Sequence, residues 1–435
     1  MKNILYLSIC LLSSLLPGST TLAQQTPAPP QQQAVLIRGA FAHIGNGQVI
    51  PNSLIGFENG KITLVADASN STDDLSRFTE IIEAKGKHVY PGFIAPNSQL
   101  GLSEIDAVRS TRDHTEVGKF NPSIRSLIAY NTDSRITPTV RSNGVLLAQI
   151  VPKGGRISGQ SSVVQLDAWN WEDATLAADD GIHINWPTHL RRRWSSSGIT
   201  MSKNKDYDEQ VNELLHFLKE AQSYGLQKAP EKTNLKFEAM RGLFEEKKNL
   251  YVHAQQTKSI SDAVQMLRPF PFRLVIVGGR DSWKLLSLLK EADVAVVLAP
   301  TQSLPRHRGD HIDQPFKTAS MLHEAGISFC LSQEDGWQQR NLPFQAGQAV
   351  GFGLDREAAI SALSLNTARI LGIDDKVGSL EKGKAATLFI SKGDALDMRT
   401  CLLERAFIDG RDIDLDNKQK ALYRKFREKY GKEKE

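Results

Sequence analysis

PGFIAPNSQLG, residues 91–101, is the stretch from which the fold of this chain is predicted. Its apolar run, Phe93 to Pro96, is short and lies between Pro91 and Gly101, which favours a buried strand over a helix. The preceding residues 80–90, EIIEAKGKHVY, contain a strand-like run and a Lys-Gly turn. We therefore predict that the chain leaves a β-rich segment here and enters the first strand of a central block.

Alternating strand and helix patterns fill that central block. Five continuous apolar runs, rich in β-branched residues, suit parallel strands that are buried on both faces. They are residues 144–152, 249–254, 272–279, 294–300 and 327–332. Amphipathic helical patterns lie between or after them, at 207–224, 259–268, 282–291, 315–325 and, as a helix pair, 355–372. This alternation predicts an α/β fold with a TIM-like (β/α)₈ barrel over residues 91–375.

Both flanks of the block are β-rich. Residues 34–90 contain short strands separated by Gly-Asn-Gly and Glu-Asn-Gly-Lys, which are turn sequences of hairpins. Residues 376–414 return to the same pattern. We expect the two segments to form one small composite β-sandwich, the alternative being two separate terminal hairpins.

Residues 1–23 have the organisation of a cleavable secretory signal peptide. Lys2 precedes a short apolar core, and Thr-Leu-Ala stands before Gln24. No later run approaches the 18 apolar residues of a membrane span. The sequence thus predicts a secreted or periplasmic protein without a membrane span after cleavage. Residues 24–33, rich in Pro and Gln, are expected to be a disordered linker.

Charge and cysteine content exclude some classes of function. Much of the formal net charge of +4 comes from a basic helical tail, residues 415–435, where positions 418–435 hold eight Lys/Arg against three Glu. No aromatic-basic platform accompanies the tail, so we expect a solvated helix and no nucleic-acid partner. Beyond the signal peptide only Cys330 and Cys401 are present, which excludes a disulfide framework.

Four motifs together resemble the amidohydrolase superfamily, in particular its imidazolonepropionase-like metal-dependent hydrolases. They are ENGKI (58–62), YPGFIAPNSQLG (90–101), LSLNTARILGI (363–373) and VGSLEKGKAATLFI (377–390). The resemblance implies a barrel with a β-rich second unit. It also implies hydrolysis of C–N bonds other than peptide bonds, often in cyclic amides. In that family strand-end ligands hold zinc, which lowers the pKa of a bound water.

Most of the residues that this resemblance assigns to the metal are missing. The family's His-x-His pair on strand one falls on Asn97 and Gln99, and its strand-six histidine falls on Gly278. The strand-five histidine is retained as His253. The strand-eight aspartate falls at Gln333 or Glu334. No strand-four lysine can be placed, Lys236 and Lys247 being guesses.

We therefore expect no metal and no other cofactor, because amides are poor zinc ligands and one imidazole does not make a zinc site. A calcium site built from the oxygens of Asn97, Gln99 and Glu334 is the alternative. The six residues Asn97, Gln99, His253, Gly278, Gln333 and Glu334 are instead predicted to line a ligand site at the barrel mouth. His253 is also open to being a buried structural histidine.

Three other stretches of the sequence indicate a function less specifically. His307 and His311 have i,i+4 spacing, but Arg306 and Arg308 beside them favour a surface loop over a metal site. Residues 151–164, VPKGGRISGQSSVV, lack a phosphate-binding fingerprint and are expected to turn over the barrel mouth. Residues 183–194, HINWPTHLRRRW, suit either a lid or partner contact or a solvated loop.

Two hypotheses follow. The first is a pseudoenzyme that binds a small amide or cyclic-amide ligand, or that pairs with an active amidohydrolase paralogue or with itself. The second is an active hydrolase with a rewired, zinc-independent site that uses His253 with Glu334 or Asp335 as acid and base.

Overall fold

The computed structural model describes residues 26–195, 198–227 and 230–431. The predicted signal peptide lies outside these ranges. Within them eighteen strands form three sheets. The strands are β1 (Val35–His43), β2 (Val49–Glu58), β3 (Lys61–Asp67), β4 (Glu80–Glu83), β5 (His88–Pro91), β6 (Phe93–Ser98), β7 (Val145–Ile150), β8 (Ile157–Gln165), β9 (Thr175–Asn185), β10 (Leu190–Ser195), β11 (Gly198–Lys203), β12 (Asn249–Ala254), β13 (Arg273–Gly278), β14 (Ala295–Leu298), β15 (Phe329–Leu331), β16 (Leu388–Ser391), β17 (Leu403–Ile408) and β18 (Arg411–Asp412).

Helices connect and cover the strands. The α-helices are α1 (Thr137–Arg141), α2 (Trp171–Ala174), α3 (Tyr207–Gly225), α4 (Leu235–Phe244), α5 (Thr257–Leu267), α6 (Leu286–Glu291), α7 (Gln314–Glu324), α8 (Leu342–Val350), α9 (Arg356–Leu363), α10 (Leu365–Leu371) and α11 (Lys418–Lys429). Short 3₁₀ turns occupy Arg109–Thr111, Ser126–Ala129, Ser282–Lys284 and Trp337–Asn341.

Strands from both ends of the chain share one mixed sheet. Its order is β18-β17-β16-β5-β1-β2-β3, and β4 pairs with β1 as well. β16 runs antiparallel to both β5 and β17, so the C-terminal strands are hydrogen-bonded directly to the N-terminal ones. We predicted a small composite β-sandwich from both ends of the chain; a β-rich unit composed of both ends is confirmed, and its eight strands form one continuous hydrogen-bonded sheet.

The central block is a nearly closed eight-stranded barrel sheet in the order β6-β7-β8-β9-β12-β13-β14-β15. β6 and β15, at the two ends of this order, contact each other and bring the sheet close to closure. The predicted barrel is therefore confirmed, with one difference. β8 runs antiparallel to both of its neighbours, whereas the remaining pairs are parallel.

The stretch 91–101 joins the two units. Pro91 ends β5 in the small sheet, and Phe93 begins β6 in the barrel. The aromatic rings of Tyr90 and Phe93 both pack on Phe389 of β16, with ring centroids 5.3 and 5.0 Å apart. All three side chains are fully buried, so the hydrophobic core continues from the sheet into the barrel and fixes where β6 starts.

Both terminal segments lie against the body. Residues 26–33 contain no helix or strand, but the backbone N–H of Ala28 donates to Asp167 Oδ2 at 2.9 Å and Gln31 Nε2 donates to the carbonyl of Phe57 at 3.1 Å. This part of the expected disordered linker is thus anchored. The basic tail forms helix α11, none of whose residues is buried. Among the residues that the structure describes, no helix has the length and apolar composition needed to cross a bilayer.

Candidate functional site at the barrel mouth

The carboxyl ends of several barrel strands surround one cavity of about 400 Å³. Parallel strands place the residues that follow them at the same end of a barrel, which is where such folds bind ligands. The cavity is lined by Asn97, Pro152, Lys153, Gly154, Gly155, Ser158, Asn185, His253, Gln255, Val277, Gly278, Ala299, Ser332 and Glu334.

Four of the six predicted site residues meet in this cavity, namely Asn97, His253, Gly278 and Glu334. The other two, Gln99 and Gln333, are buried beside it at 3% and 6% exposure and do not line it. Gln99 Nε2 is buried without a hydrogen-bond partner, and the backbone carbonyl of Gln333 accepts from Gln339 Nε2 at 3.2 Å.

Asn97 is held in an unusual backbone conformation. Its φ is +53°, in the left-handed region that asparagine tolerates better than most residues. Its N–H donates to Gln149 Oε1 at 3.1 Å, and its side-chain Oδ1 is buried without a partner. The turn therefore brings an amide with spare hydrogen-bonding capacity to the cavity.

A side chain at Gly278 would strain the backbone and displace Gln255. A Cβ built on Gly278 would lie 1.9 Å from Gln255 Nε2, and the φ of +96° strains any L-residue. Gln255, which also lines the cavity, thus fills the place that the resemblance assigns to the strand-six histidine. The side-chain oxygen of Gln255, Oε1, is likewise buried without a hydrogen-bond partner.

His253 lies at the end of β12, where its ring is partly buried and contacts a second histidine. Its Nε2 is 2.9 Å from Nδ1 of His183, a fully buried residue of β9. Burial lowers the pKa of His253 to about 4, with a smaller contribution from the positive charge of Lys153. Burial also lowers the pKa of His183 well below its ordinary value, and His253 adds to this shift. Both rings are consequently neutral at neutral pH.

His183 was not among the residues predicted from the sequence, because β9 was not predicted as a strand. β9 is the fourth strand of the barrel order and occupies the position at which the resemblance expects a lysine. The two lysines considered for that role lie elsewhere, Lys236 on α4 and Lys247 in the turn before β12. The alternation Ile182-His183-Ile184 around a buried histidine was the available signal.

Behind the two histidines the barrel interior is polar. His183 Nε2 is 2.9 Å from Ser161 Oγ, which is 2.8 Å from Asp180 Oδ1. Asp180 Oδ2 accepts from Gln149 Nε2 and from the Tyr251 hydroxyl, both at 2.8 Å. Burial raises the pKa of Asp180, and these hydrogen bonds from Ser161, Tyr251 and Gln149 oppose the shift. A connected network of this kind fixes its members in one arrangement.

The glycine-rich stretch at 151–164 has two parts. Lys153, Gly154 and Gly155 turn over the cavity as predicted, and Asn185 Nδ2 holds them by donating to the Gly155 carbonyl at 3.0 Å. From Ile157 onward the chain is strand β8, so the expectation of a loop is wrong there. Likewise residues 183–185, expected in a loop or lid, are the end of β9.

Glu334 does not pair with His253. Its carboxylate accepts from Arg280 Nη2 at 2.9 Å and is 63% exposed, while its carbonyl accepts from Lys153 Nζ at 3.3 Å. In the described part of the chain no hydrogen bond joins Glu334 or Asp335 to His253. The acid–base pair of the zinc-independent hydrolase hypothesis is therefore not assembled in this conformation.

The mouth does not fit zinc. It offers one imidazole, whose Nε2 already faces His183, and one carboxylate, Glu334, which is already paired with Arg280. Beside them lie neutral amides and the ammonium of Lys153, which repels a cation. Within the described ranges, one cluster of three or more His, Cys, Asp or Glu ligands has the spacing for a metal: Asp281, His307 and Asp310. This cluster is at the rim, and Lys284 Nζ lies 3.8 Å from Asp281 Oδ1 and 3.3 Å from Asp310 Oδ1, so an ammonium already balances the carboxylates. His311 is exposed and does not belong to it.

Comparison with known proteins places this geometry in a wider group. The sequence profile of the Amidohydrolase family matches residues 316–417. An adenine deaminase of Clostridium botulinum (strain ATCC 19397 / Type A) is 30% identical over 105 residues, covering 23% of this chain and 17% of the relative. The amidohydrolase tasK of Hapsidospora irregularis is 28% identical over 120 residues, 24% of this chain and 12% of that one. The chain thus spans less than a fifth of the length of these curated relatives.

Solved structures resemble the whole fold. An amidohydrolase from Thermotoga maritima MSB8 superposes with a TM-score of 0.74 at 22% identity, over 87% of this chain and 99% of the other. A Xaa-Pro dipeptidase reaches a TM-score of 0.54 at 16% identity, over 88% and 100%. These likenesses establish a shared architecture. Taken with the profile match over residues 316–417, they support the resemblance to the amidohydrolase superfamily that the four motifs indicate.

Proposed function

We propose that this chain is an exported amidohydrolase-superfamily protein that binds a small amide or cyclic amide at the barrel mouth without metal-dependent hydrolysis. The observation that carries the proposal is the replacement at Gly278. A ligand histidine is missing there, and Gln255 fills the space, so the mouth has been repacked as an amide-lined pocket.

The lining carries one ammonium, Lys153, and one carboxylate, Glu334, so these two charges cancel and the cavity suits a polar ligand without net charge. Asn97 and Gln255 each hold a buried amide oxygen without a partner, and His253 contributes a neutral ring. Buried polar groups without partners cost free energy, so a ligand with amide-like N–H donors gains by satisfying these two oxygens. The export part of the proposal rests on the signal-peptide pattern of residues 1–23.

A subunit that binds its ligand without hydrolysing it would contribute to catalysis only through a partner. We therefore include in the proposal that the chain pairs with an active amidohydrolase paralogue or with a second copy of itself. Native mass spectrometry of the exported protein, purified from its own cells, tests this part by giving the mass of the assembly.

Metal analysis tests the central claim. The full chain is incubated with excess zinc, desalted and analysed by inductively coupled plasma mass spectrometry, alongside His253→Gln and His307→Gln. We expect no zinc that depends on His253. Zinc that disappears in His307→Gln belongs to the rim cluster. One zinc per chain that disappears in His253→Gln contradicts the proposal.

Ligand binding is tested separately. Cyclic dipeptides, imidazolones and N-acyl amino acids are screened by calorimetry and, in parallel, for hydrolysis. We expect binding without turnover, weakened in Asn97→Ala and unchanged in Asp375→Ala, an exposed control. Hydrolysis that His253→Ala abolishes would instead favour the rewired enzyme.

A further inference from the structure

The buried chain behind His253 fixes which of its ring nitrogens carries hydrogen. The chain consists of four groups, Asp180, Ser161, His183 and His253, joined by contacts of 2.8, 2.9 and 2.9 Å. Each contact needs one donor and one acceptor, so the direction of the first hydrogen bond determines all the others.

Two fixed donors set the direction at the Asp180 end. The backbone N–H of Asn97 donates to Gln149 Oε1, so the other end of that amide, Nε2, must donate to Asp180 Oδ2. Asn249 Nδ2 donates to the carbonyl of Ile370 at 2.7 Å and to the Tyr251 hydroxyl at 3.0 Å.

The Tyr251 hydroxyl therefore has its own proton free to donate to Asp180 Oδ2. Two donors thus converge on one oxygen of Asp180, as suits a carboxylate. Burial raises the pKa of Asp180, but these hydrogen bonds oppose that shift, and the ammonium of Lys248, which interacts electrostatically with Asp179 and Asp180, also favours the ionised form.

The rest follows link by link. A carboxylate at Asp180 accepts the proton of the Ser161 hydroxyl. Ser161 Oγ must then accept from His183 Nε2–H. The neutral His183 ring is left with a lone pair on Nδ1, which accepts from His253 Nε2–H. His253 is neutral as well, so its Nδ1 carries no hydrogen.

Because Nε2 is taken by His183, Nδ1 is the ring nitrogen of His253 that is left for a ligand. His253 lines the cavity, and its Nε2 is directed at His183 in the barrel interior. We propose that the Asp180–Ser161–His183 chain holds His253 Nδ1 as a hydrogen-bond acceptor for ligand, so that the mouth selects neutral molecules with an amide or imide N–H. This inference rests on the proposed function, because it describes the same cavity.

This preference for hydrogen-bond donors is the opposite of the preference that a metal centre at this position would have. A zinc ion attracts oxygen lone pairs, whereas an unprotonated imidazole nitrogen attracts hydrogen donors. His183, Ser161 and Asp180 are positioning residues in this scheme, since they act only through His253.

The first experiment measures the tautomers. Two-bond ¹H–¹⁵N correlation spectra of the full chain labelled at histidine distinguish the two tautomers, with His253→Gln and His183→Gln used for assignment. We expect hydrogen on Nε2 of both rings in the wild type. Hydrogen on His253 Nδ1 overturns the proposal, whatever the variants do.

The histidine tautomers of Asp180→Asn distinguish positioning from a merely structural role, because a structural role alone predicts no change of tautomer. The carboxamide oxygen is kept at the site where Gln149 and Tyr251 donate, so its Nδ2 faces Ser161 and donates to it. Every later bond then reverses, and both histidines should switch to the Nδ1–H tautomer. Ser162→Ala, an equally buried serine on the opposite face of β8, should leave both tautomers unchanged.

The second experiment measures selection. Succinimide carries an imide hydrogen where N-methylsuccinimide carries a methyl group, and the binding of both is followed through the His253 ring resonances. We expect succinimide to bind about tenfold more tightly, the effect of one hydrogen bond, and the preference to vanish in Asp180→Asn. Equal binding of both imides to the wild type overturns the acceptor role while the proposed function stands. Failure of both imides to perturb any cavity residue counts against the proposed function for this ligand class, while the measured tautomers still decide the proton chain.

Discussion

Gly278 combines a φ of +96° with a neighbour, Gln255 Nε2, at 1.9 Å from the position of any Cβ. Gly278→Ala should destabilise the protein by about 1–2 kcal/mol through backbone strain alone. Gly278→His should cost more, because the imidazole also displaces Gln255, and it should not create zinc binding. Urea denaturation and metal analysis measure the two effects.

Gly309 offers the matched control. A Cβ there would meet nothing within 4 Å, and its φ is not in the left-handed region. Gly309→Ala should therefore change the free energy of unfolding by less than about 0.5 kcal/mol. Stoichiometric zinc in Gly278→His, at wild-type stability, would show that the position is still open to a ligand.

His253 should make folding stability depend on pH. Its pKa falls from 6.5 to about 4 on folding, so the unfolded chain binds more protons between these values. Its contribution is complete above pH 6.5 and is lost as the pH falls toward 4, with about 2 kcal/mol lost between pH 7 and pH 5.

Neighbouring groups also titrate, so the comparison is made with His253→Gln. Lys153 faces the ring from the cavity, His183 lies behind it, and Asp180, whose pKa is raised by burial, contributes with the opposite sign. Both proteins share these groups. Wild type should therefore lose about 2 kcal/mol more than the variant in urea melts at pH 7 and pH 5, and equal losses would refute a buried neutral ring.

The same residues show how far the sequence predicts the site. Asn97, His253 and Glu334 were found at the mouth because the motif frame fixes where strands end. Gln255 and His183 were missed because their importance comes from three-dimensional contacts. Gln255 occupies the space beside Gly278, and His183 lies on β9, a strand that has no continuous apolar run.

At the scale of elements, the barrel strands form two groups, those with nearly continuous apolar runs and those with polar side chains inside the barrel. β7, β12, β13, β14 and β15 were predicted correctly because their apolar runs are nearly continuous. β8 and β9 were missed because Ser161, Asp180 and His183 form the polar network inside the barrel, which breaks the hydrophobic pattern. The antiparallel direction of β8 follows from its connection, since residues 151–156 are too few for a crossover helix.

Asp167 joins elements that are distant in sequence. Its Oδ1 accepts from Arg141 Nη1 of α1 at 2.5 Å, and its Oδ2 accepts from Arg411 Nη1 of β18 at 2.7 Å and from the N–H of Ala28. The side chain of Asp167 is only 4% exposed. Barrel, small sheet and N-terminal segment therefore share one buried carboxylate.

Asp167→Ala should destabilise the protein by about 3–5 kcal/mol, because the buried Arg141 and the partly buried Arg411 both lose the carboxylate with which they pair. Asp375→Ala, at an exposed site, should remain within about 0.5 kcal/mol of wild type. Denaturation midpoints at constant m-value measure both. A loss below about 1 kcal/mol for Asp167→Ala would mean that solvent replaces the carboxylate.

For the whole molecule, the sheet shared by both termini makes the barrel dependent on the last strands. β16 pairs with β5, and β5 leads directly into β6, the first barrel strand. Phe389 of β16 packs against Tyr90 and Phe93 across that connection. The composite sheet was predictable from hairpin patterns at both ends, whereas the pairing partners were not, because strand order depends on packing.

Two truncations test this dependence. Ending the chain after Leu402 removes β17 and β18, including buried Phe407 and Ile408 and the Arg411 partner of Asp167. Burying one large apolar side chain stabilises by about 1.5–3 kcal/mol, so the loss, with the ion pair included, should be comparable to the stability of an ordinary domain. Ending the chain after Asp416 removes only α11, which buries no residue, and should lower the melting temperature by a few degrees at most. Circular dichroism melts of the two truncated chains decide the point: cooperative unfolding of the Leu402 truncation near the wild-type temperature would show that the barrel folds independently of the shared sheet.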